Sequence, residues 1–144
     1  MLDGIFLALN PFNIALAAVG ALTGTVVGML PGIGPINAIA ILVPLSLAID
    51  FPPSSVLILM TAIYYGSQYG NSISTILLNV PGTASAVVTA IDGYALTQQG
   101  KSEAALAMSA IASFWGGTLS IIGFVVLTPT LSLFAVRFGP AEYV

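Results

Sequence analysis

Two Pro-Gly interruptions lie in uncharged sequence, Pro31-Gly32-Ile33-Gly34-Pro35-Ile36-Asn37 and Asn79-Val80-Pro81-Gly82-Thr83-Ala84-Ser85. Asparagine, serine and threonine supply donors and acceptors but no acid or base near neutral pH. Each interruption also frees backbone N–H and C=O groups from helical bonding. Such a set holds a solute or an ion; it does not transform one. Neutral donors and helix N-termini suit a multiply charged anion, and freed carbonyls suit a coupling cation. Cysteine and histidine are both absent, which removes disulfides, thiol catalysis, Cys/His zinc sites and imidazole base chemistry. With no acid/base pair inside the apolar sequence, the chain reads as no enzyme and as needing no cofactor.

The solvent around these groups follows from composition. Charged residues make up 5% of the chain and the mean hydropathy is +1.08, too apolar to give a soluble domain of this length a polar surface. Residues 4–49, 51–91 and 104–136 carry no charge, and each run exceeds the roughly 20 apolar residues that cross hydrocarbon as a helix. The acidic balance, set by a handful of side chains, implies no nucleic-acid partner. The N-terminus, MLDGIFLALNPF, has neither a basic n-region nor a small-residue cleavage pattern, so the hydrophobic segments are expected to stay in the protein. The C-terminal RFGPAEYV lacks basic anchors. Residues 1–144 are therefore expected to form a single transmembrane region, the N-terminal part of a longer subunit.

Positioning elements can be read from spacing. A first helix is predicted over residues 12–30, with Gly20, Gly24, Gly28 and Gly32 forming a stripe that lets another helix approach closely. Residues 36–49 would span roughly 21 Å as a helix, short of a core of about 30 Å, which favours a half-helix or re-entrant segment. Asp50, Pro52, Pro53 and Ser54 read as a turn, with Ser54 capping a helix over 55–79. On that helix Thr61, Tyr64, Tyr65, Gln68, Ser72, Thr75 and Asn79 share a face, and Gly66, Gly70 and Ser74 form a second small stripe. Gly70-Asn71-Ser72 is expected to unwind. A short helix over 84–91 should end at Asp92-Gly93, and a polar stretch should follow to Glu103. Ser102 and Glu103 suit the start of a final long helix, along which Ser109, Ser113, Gly116 and Ser120 share a face, and Pro129 should kink or end it before Arg137. The fold class is all-α, a multi-pass transmembrane helical protein with discontinuous or re-entrant helices at the two breaks.

Other features carry bland readings. Ala95 to Ser102 satisfies a loose phosphate-loop pattern but lacks the preceding strand and the glycine-rich turn, so it reads as a polar loop with a helix cap. Asp92 suits a solvated turn, and Trp115 suits packing or an interface anchor. Asn37 and Asn79 fit helix caps as well as ligand contacts; Thr83 and Ser85 fit donation to a carboxylate as well as capping. The breaks themselves admit an alternative, two ordinary connections at the membrane surface. Against it stand the lack of nearby charge, the half-length segment after the first, and the Asn, Ser and Thr around the second.

Three runs in order, GMLPGIGPINAIAILVPL, YYGSQYGNSISTILLNVPGTASAVVTAIDGY and QGKSEAALAMSAIASFWGG, carry a resemblance covering most of residues 20–120. The chain resembles the large membrane subunit of the tripartite tricarboxylate transporters. That resemblance implies a secondary transporter of tricarboxylates or related small organic anions in the bacterial inner membrane, driven by an ion gradient (sodium or proton). It implies a small membrane subunit and a periplasmic solute-binding protein as partners. It lands on Gly32, Gly34, Pro35 and Asn37 in the first break and on Ser72, Asn79, Pro81, Gly82 and Thr83 around the second. The candidate substrate-binding residues are Gly32, Gly34, Asn37, Ser72, Asn79, Gly82, Thr83 and Ser85, with a candidate sodium site near Pro31 and Pro81. Asn71 departs from the family, which often has a second glycine there, and Gln98 and Gln99 stand where basic residues are frequent. The alternative reading is a helical membrane scaffold that transports nothing. Half of a solute cavity would leave the faces of Gln68 and Asn79 against lipid. Vesicles reconstituted with these 144 residues alone are accordingly expected to take up no more labelled carboxylate than empty vesicles.

Overall fold

The structure is a computed structural model that describes residues 2–31, 35–37, 39–40, 44 and 51–135. Five helices follow in order: α1 (Leu2–Ala8), α2 (Pro11–Gly28), α3 (Pro53–Leu78), α4 (Ala86–Gln98) and α5 (Ser102–Ala135). Residues 35–37, 39–40 and 44 are also helical, and no strand occurs among the described residues. The rest of the segment expected as a half-helix, 36–49, lies outside them, as do Gly32 and Gly34. The chain divides into two compact units, one ending at Ser109 and one beginning at Ala110.

Local chemistry sets the start of α2. Asn10 accepts from the Phe12 N–H at 3.0 Å through Oδ1, and Pro11 occupies the first turn, where its missing N–H costs no helical bond. Asn13, buried, then joins three elements: its Nδ2 donates to the Leu7 carbonyl at 2.7 Å, and its Oδ1 accepts from the Ser55 hydroxyl at 2.7 Å. Phe12 and Phe51 stack edge to face nearby, with ring centroids 5.5 Å apart. The N-terminal ends of α2 and α3 are thus fastened by both polar and aromatic contacts.

Along the rest of their length α2 and α3 meet through glycine. A Cβ added to Gly24 would fall on the Ile63 carbonyl, and one on Gly28 would fall on that of Ser67; at Gly20 the nearest atoms are Leu59 O and Ala62 Cβ, both at 2.9 Å. The relation is mutual, because Gly66 faces the Ala21 carbonyl and Gly70 faces that of Thr25. Gly20, Gly24 and Gly28 of the first predicted stripe and Gly66 and Gly70 of the second therefore face the other helix, with backbone close to backbone; Gly32 lies outside the described residues. The paired numbers rise together, so the two helices run in the same sense. Gly28 ends up beside Ser67, while α3 begins at Pro53, roughly 21 Å upstream at about 1.5 Å per residue. The chain between them has to return that distance.

Three expectations need correction. α3 begins at Pro53 with Pro52 as its cap, not at residue 55 with Ser54 as cap; proline presets the first turn, and the serine that bonds is Ser55, which donates to Asn13. The helix does not unwind at Gly70-Asn71-Ser72, since Gly70 is seated on α2 and the Ser74 and Thr75 hydroxyls both donate to the Asn71 carbonyl. α4 continues through Asp92-Gly93 to Gln98, because Gly93 is where the Ile76 side chain packs. α5 runs through Pro129 to Ala135, the last described residue.

Of the described helices, α2 and the Ser102–Thr128 part of α5 are long and apolar enough to cross a membrane. α3 is longer than α2, but its hydroxyl and amide groups take it out of that class. In the second unit Phe114, Trp115, Leu119, Ile122, Phe124 and Val126 are all exposed, and a Cβ at Gly116, Gly117 or Gly123 would meet nothing within 4 Å. A helix whose large apolar side chains stand uncovered is built for lipid or for further protein.

The packing generates a paired prediction. Gly24→Leu should cost on the order of 1–3 kcal/mol or prevent folding, because the side chain meets backbone that cannot rotate away. Gly116→Leu should be tolerated. Membrane abundance and thermal unfolding in detergent compare the two; equal behaviour would place the Gly24 stripe away from α3.

Candidate functional site

Polar side chains of α3 occupy two adjoining arcs. Tyr64 and Tyr65 are exposed, Gln68 donates to the Tyr64 hydroxyl at 2.9 Å, and the Ser72 hydroxyl donates to the Gln68 carbonyl at 3.2 Å. Ser67, Asn71, Ser74 and Thr75 form the second arc and are buried. Of the polar face read from spacing only Thr75 is buried; the buried arc is a second one, from which Asn71 reaches the second break.

The break is built as a doubling back. Asn79 ends α3 in the left-handed region (φ 57°), a conformation asparagine tolerates better than most residues, and its N–H donates to the Thr75 carbonyl at 3.1 Å. The chain then returns along α3. The Gly82 N–H donates to Asn71 Oδ1 at 2.7 Å, and Asn71 Nδ2 donates to Thr83 Oγ1 at 3.0 Å. Thr83 Oγ1 also accepts from the Ala86 N–H at 3.3 Å and lies 3.1 Å from Ser85 Oγ. Thr83, more than Ser85, is therefore the residue whose side chain caps α4. From this level α4 advances in the same sense as α3. Gly93 packs against Ile76, and Thr97 Oγ1 donates to the Ile76 carbonyl at 2.8 Å and to the Gly93 carbonyl at 3.2 Å.

Hydrogen-bond capacity decides what remains for a ligand. A hydroxyl offers one proton and two lone pairs. Thr83 Oγ1 accepts from Asn71 and shares the Ala86 N–H with the Thr83 carbonyl, which takes it at 3.1 Å; between the Thr83 and Ser85 hydroxyls either can donate, so one hydroxyl proton of the pair is left over. Among the described residues, the N–H groups of Thr83, Ala84 and Ser85 donate to no partner. Three successive amides and a hydroxyl at the start of a 13-residue helix, in sequence without charge from residue 51 to 91, form an arrangement that favours an anion. No cluster of three or more His, Cys, Asp or Glu side chains exists among the described residues, so a cation there would rely on carbonyl and hydroxyl oxygens.

Of the candidate residues, the structure brings Gly82, Thr83 and Ser85 together. Ser72 sits on the partly exposed arc of α3, and Asn79 stands exposed at the left-handed turn. Asn37 and Pro31 are exposed, and among the described residues no hydrogen bond joins them to the second break. Gly32 and Gly34 lie outside the described residues. Spacing missed Asn71 and Thr97. Asn71 is four residues before Thr75 and shares an arc with Ser67 and Ser74, a signal that it is covered; nothing in the sequence says by what.

The model of the tripartite tricarboxylate transporter TctA family matches residues 14–144. Over 140 residues the chain is 45% identical to a protein of Agrobacterium vitis described as an uncharacterized 52.8 kDa protein in the TAR-I ttuC' 3' region. The match covers 97% of this chain and 28% of that protein. No solved structure matches the chain.

The turn at Asn79 separates backbone from side-chain roles. Asn79→Gly should leave thermal unfolding in detergent unchanged, since glycine adopts positive φ freely. Asn79→Ala should cost about 1 kcal/mol for the same backbone angle. Equal stability of the two variants would mean the turn relaxes without cost.

Proposed function

The chain belongs to the tripartite tricarboxylate transporter TctA family, a family of transporters and not of enzymes, and from that premise we propose that it forms part of the membrane subunit carrying tricarboxylates or related small organic anions. Family and apolar helices make it a membrane protein. The chain spans about a quarter of the length of the curated relative it matches, so the activity proposed is that of the whole subunit. In this reading the subunit lies in the bacterial inner membrane and crosses it several times. It works with a small membrane subunit and with a periplasmic protein that delivers the anion, and it draws on a sodium or proton gradient.

The observation that carries the reading is the second break, where unpaired amides of Thr83, Ala84 and Ser85 meet the Thr83–Ser85 hydroxyl pair beside Asn71. Depth supports a transport role for it. α4 has 13 residues, roughly 20 Å at about 1.5 Å per residue, and ends at the polar Gln98–Lys101 stretch, which needs water or headgroups. Measured from that end, the start of α4 falls well inside a core of about 30 Å. An interrupted backbone at that depth needs protein or a water-filled cavity around it, the condition under which transporters place their sites. The parallel course of α2 and α3 supports several crossings, since the chain between them has to return. The carbonyls around Pro81 are the proposed cation ligands; Pro31, Gly32, Gly34 and Asn37 would contribute from the first break.

A hydrogen bond to a charged group contributes about 1.5–3 kcal/mol, and about 1.4 kcal/mol corresponds to one decade of affinity. In the full-length subunit with its partner proteins, Asn79→Gly and Ser85→Ala should each weaken apparent affinity for the transported carboxylate by roughly tenfold. Membrane abundance should hold. Uptake driven by imposed sodium or proton gradients measures affinity and coupling together. If neither variant changes either quantity, the second break is a connection, and the scaffold reading of this region takes its place.

A further inference from the structure

Asn71 is 2% exposed, sits within α3 seven residues before its last residue, and commits both ends of its amide to the break. Its carbonyl oxygen takes the Gly82 N–H, and its NH2 group gives a proton to Thr83. The pairing asks for one acceptor and one donor on a short side chain. Aspartate accepts only, serine reaches one partner, and glutamine is a methylene longer. These two bonds have consequences for the donors downstream. Holding Thr83 Oγ1 fixes that hydroxyl 3.1 Å from Ser85 Oγ, in a pair that keeps one proton for a ligand. Occupying the Gly82 N–H draws the chain against α3, so that the three unpaired amides follow in succession. On the far side Thr97 holds the Ile76 carbonyl at 2.8 Å, fixing α4 against the end of α3.

We propose that Asn71 is a positioning residue for solute binding: it touches no solute, and it sets the orientation of the Thr83 and Ser85 hydroxyls and of the amides that do. This rests on the assignment of the second break as the anion site. It differs from a packing role in what it predicts, because a packing role changes the amount of folded protein and a positioning role changes affinity.

The test uses the full-length subunit with its partner proteins, reading KM and maximal rate per folded subunit alongside thermal unfolding. Asn71→Ala should raise KM roughly tenfold with little change in maximal rate. Thr83→Val, which keeps shape and removes the acceptor without touching α3, should do the same, and it carries the test if Asn71→Ala fails to fold. Ser55→Ala removes another buried inter-helix hydrogen bond, the one to Asn13, and should lower stability while leaving KM alone. Ser85→Ala tests the site itself. If Ser85→Ala raises KM and both Asn71→Ala and Thr83→Val leave it unchanged, the positioning role is wrong and the site stands. If all three leave KM unchanged, the site assignment fails and the positioning role fails with it.

Discussion

Backbone-to-backbone contact between α2 and α3 is the constraint on which the rest of the first unit depends. Gly24 and Gly28 sit on the carbonyls of Ile63 and Ser67, while Gly66 and Gly70 sit on those of Ala21 and Thr25. In lipid, apolar side chains gain little by leaving a solvent as apolar as themselves, so helices associate through close packing and through polar contacts. Glycine on both helices permits the closest approach, and it fixes register as well: a shift by one residue would bring a side chain against a backbone. That register holds the buried arc of α3 in place, and Asn71 is on that arc.

Polar groups complete what packing begins. Asn13 and Asn71, both buried, each use donor and acceptor together, one at the start of the α2–α3 pair and the other at the break. No buried side-chain nitrogen or oxygen among the described residues lacks a partner. Away from water an orphaned amide costs several kcal/mol, on the order of the penalty for moving it into hydrocarbon, which makes such pairings strongly directional. They hold the connection from Asn79 to Ser85 against α3 where extended chain would otherwise swing free.

The function proposed grows from the same economy of charge. In the function proposed, an anion bound among the neutral donors of the second break would take its counter-charge from a cation carried with it. The members of a transport site also need to release what they bind. Amides and hydroxyls, each contributing modestly, suit that requirement better than an arginine held in a fixed pair. The chain spans about a quarter of the length of its Agrobacterium vitis relative, and the uncovered apolar surface of α5 is suited to meeting lipid or further protein.

Sequence alone determined the solvent, the glycine stripes and the positions of the breaks, because each follows from local composition or from helical period. Scarce charge placed the chain in lipid, Gly20, Gly24 and Gly28 announced a close partner, and Pro81-Gly82 ended α3 within a residue of where spacing put it. Local rules misjudged Gly70-Asn71-Ser72 and Asp92-Gly93, where glycine reads as a break but serves a contact, with Thr25 in one case and Ile76 in the other. Only tertiary structure decided that α2, α3 and α4 run in one sense and that the break folds back onto Asn71. Those facts rest on partners distant along the chain, Ser55 for Asn13, Gly82 for Asn71, Ile76 for Thr97, and periodicity carries no information about which distant group a buried amide or hydroxyl will meet.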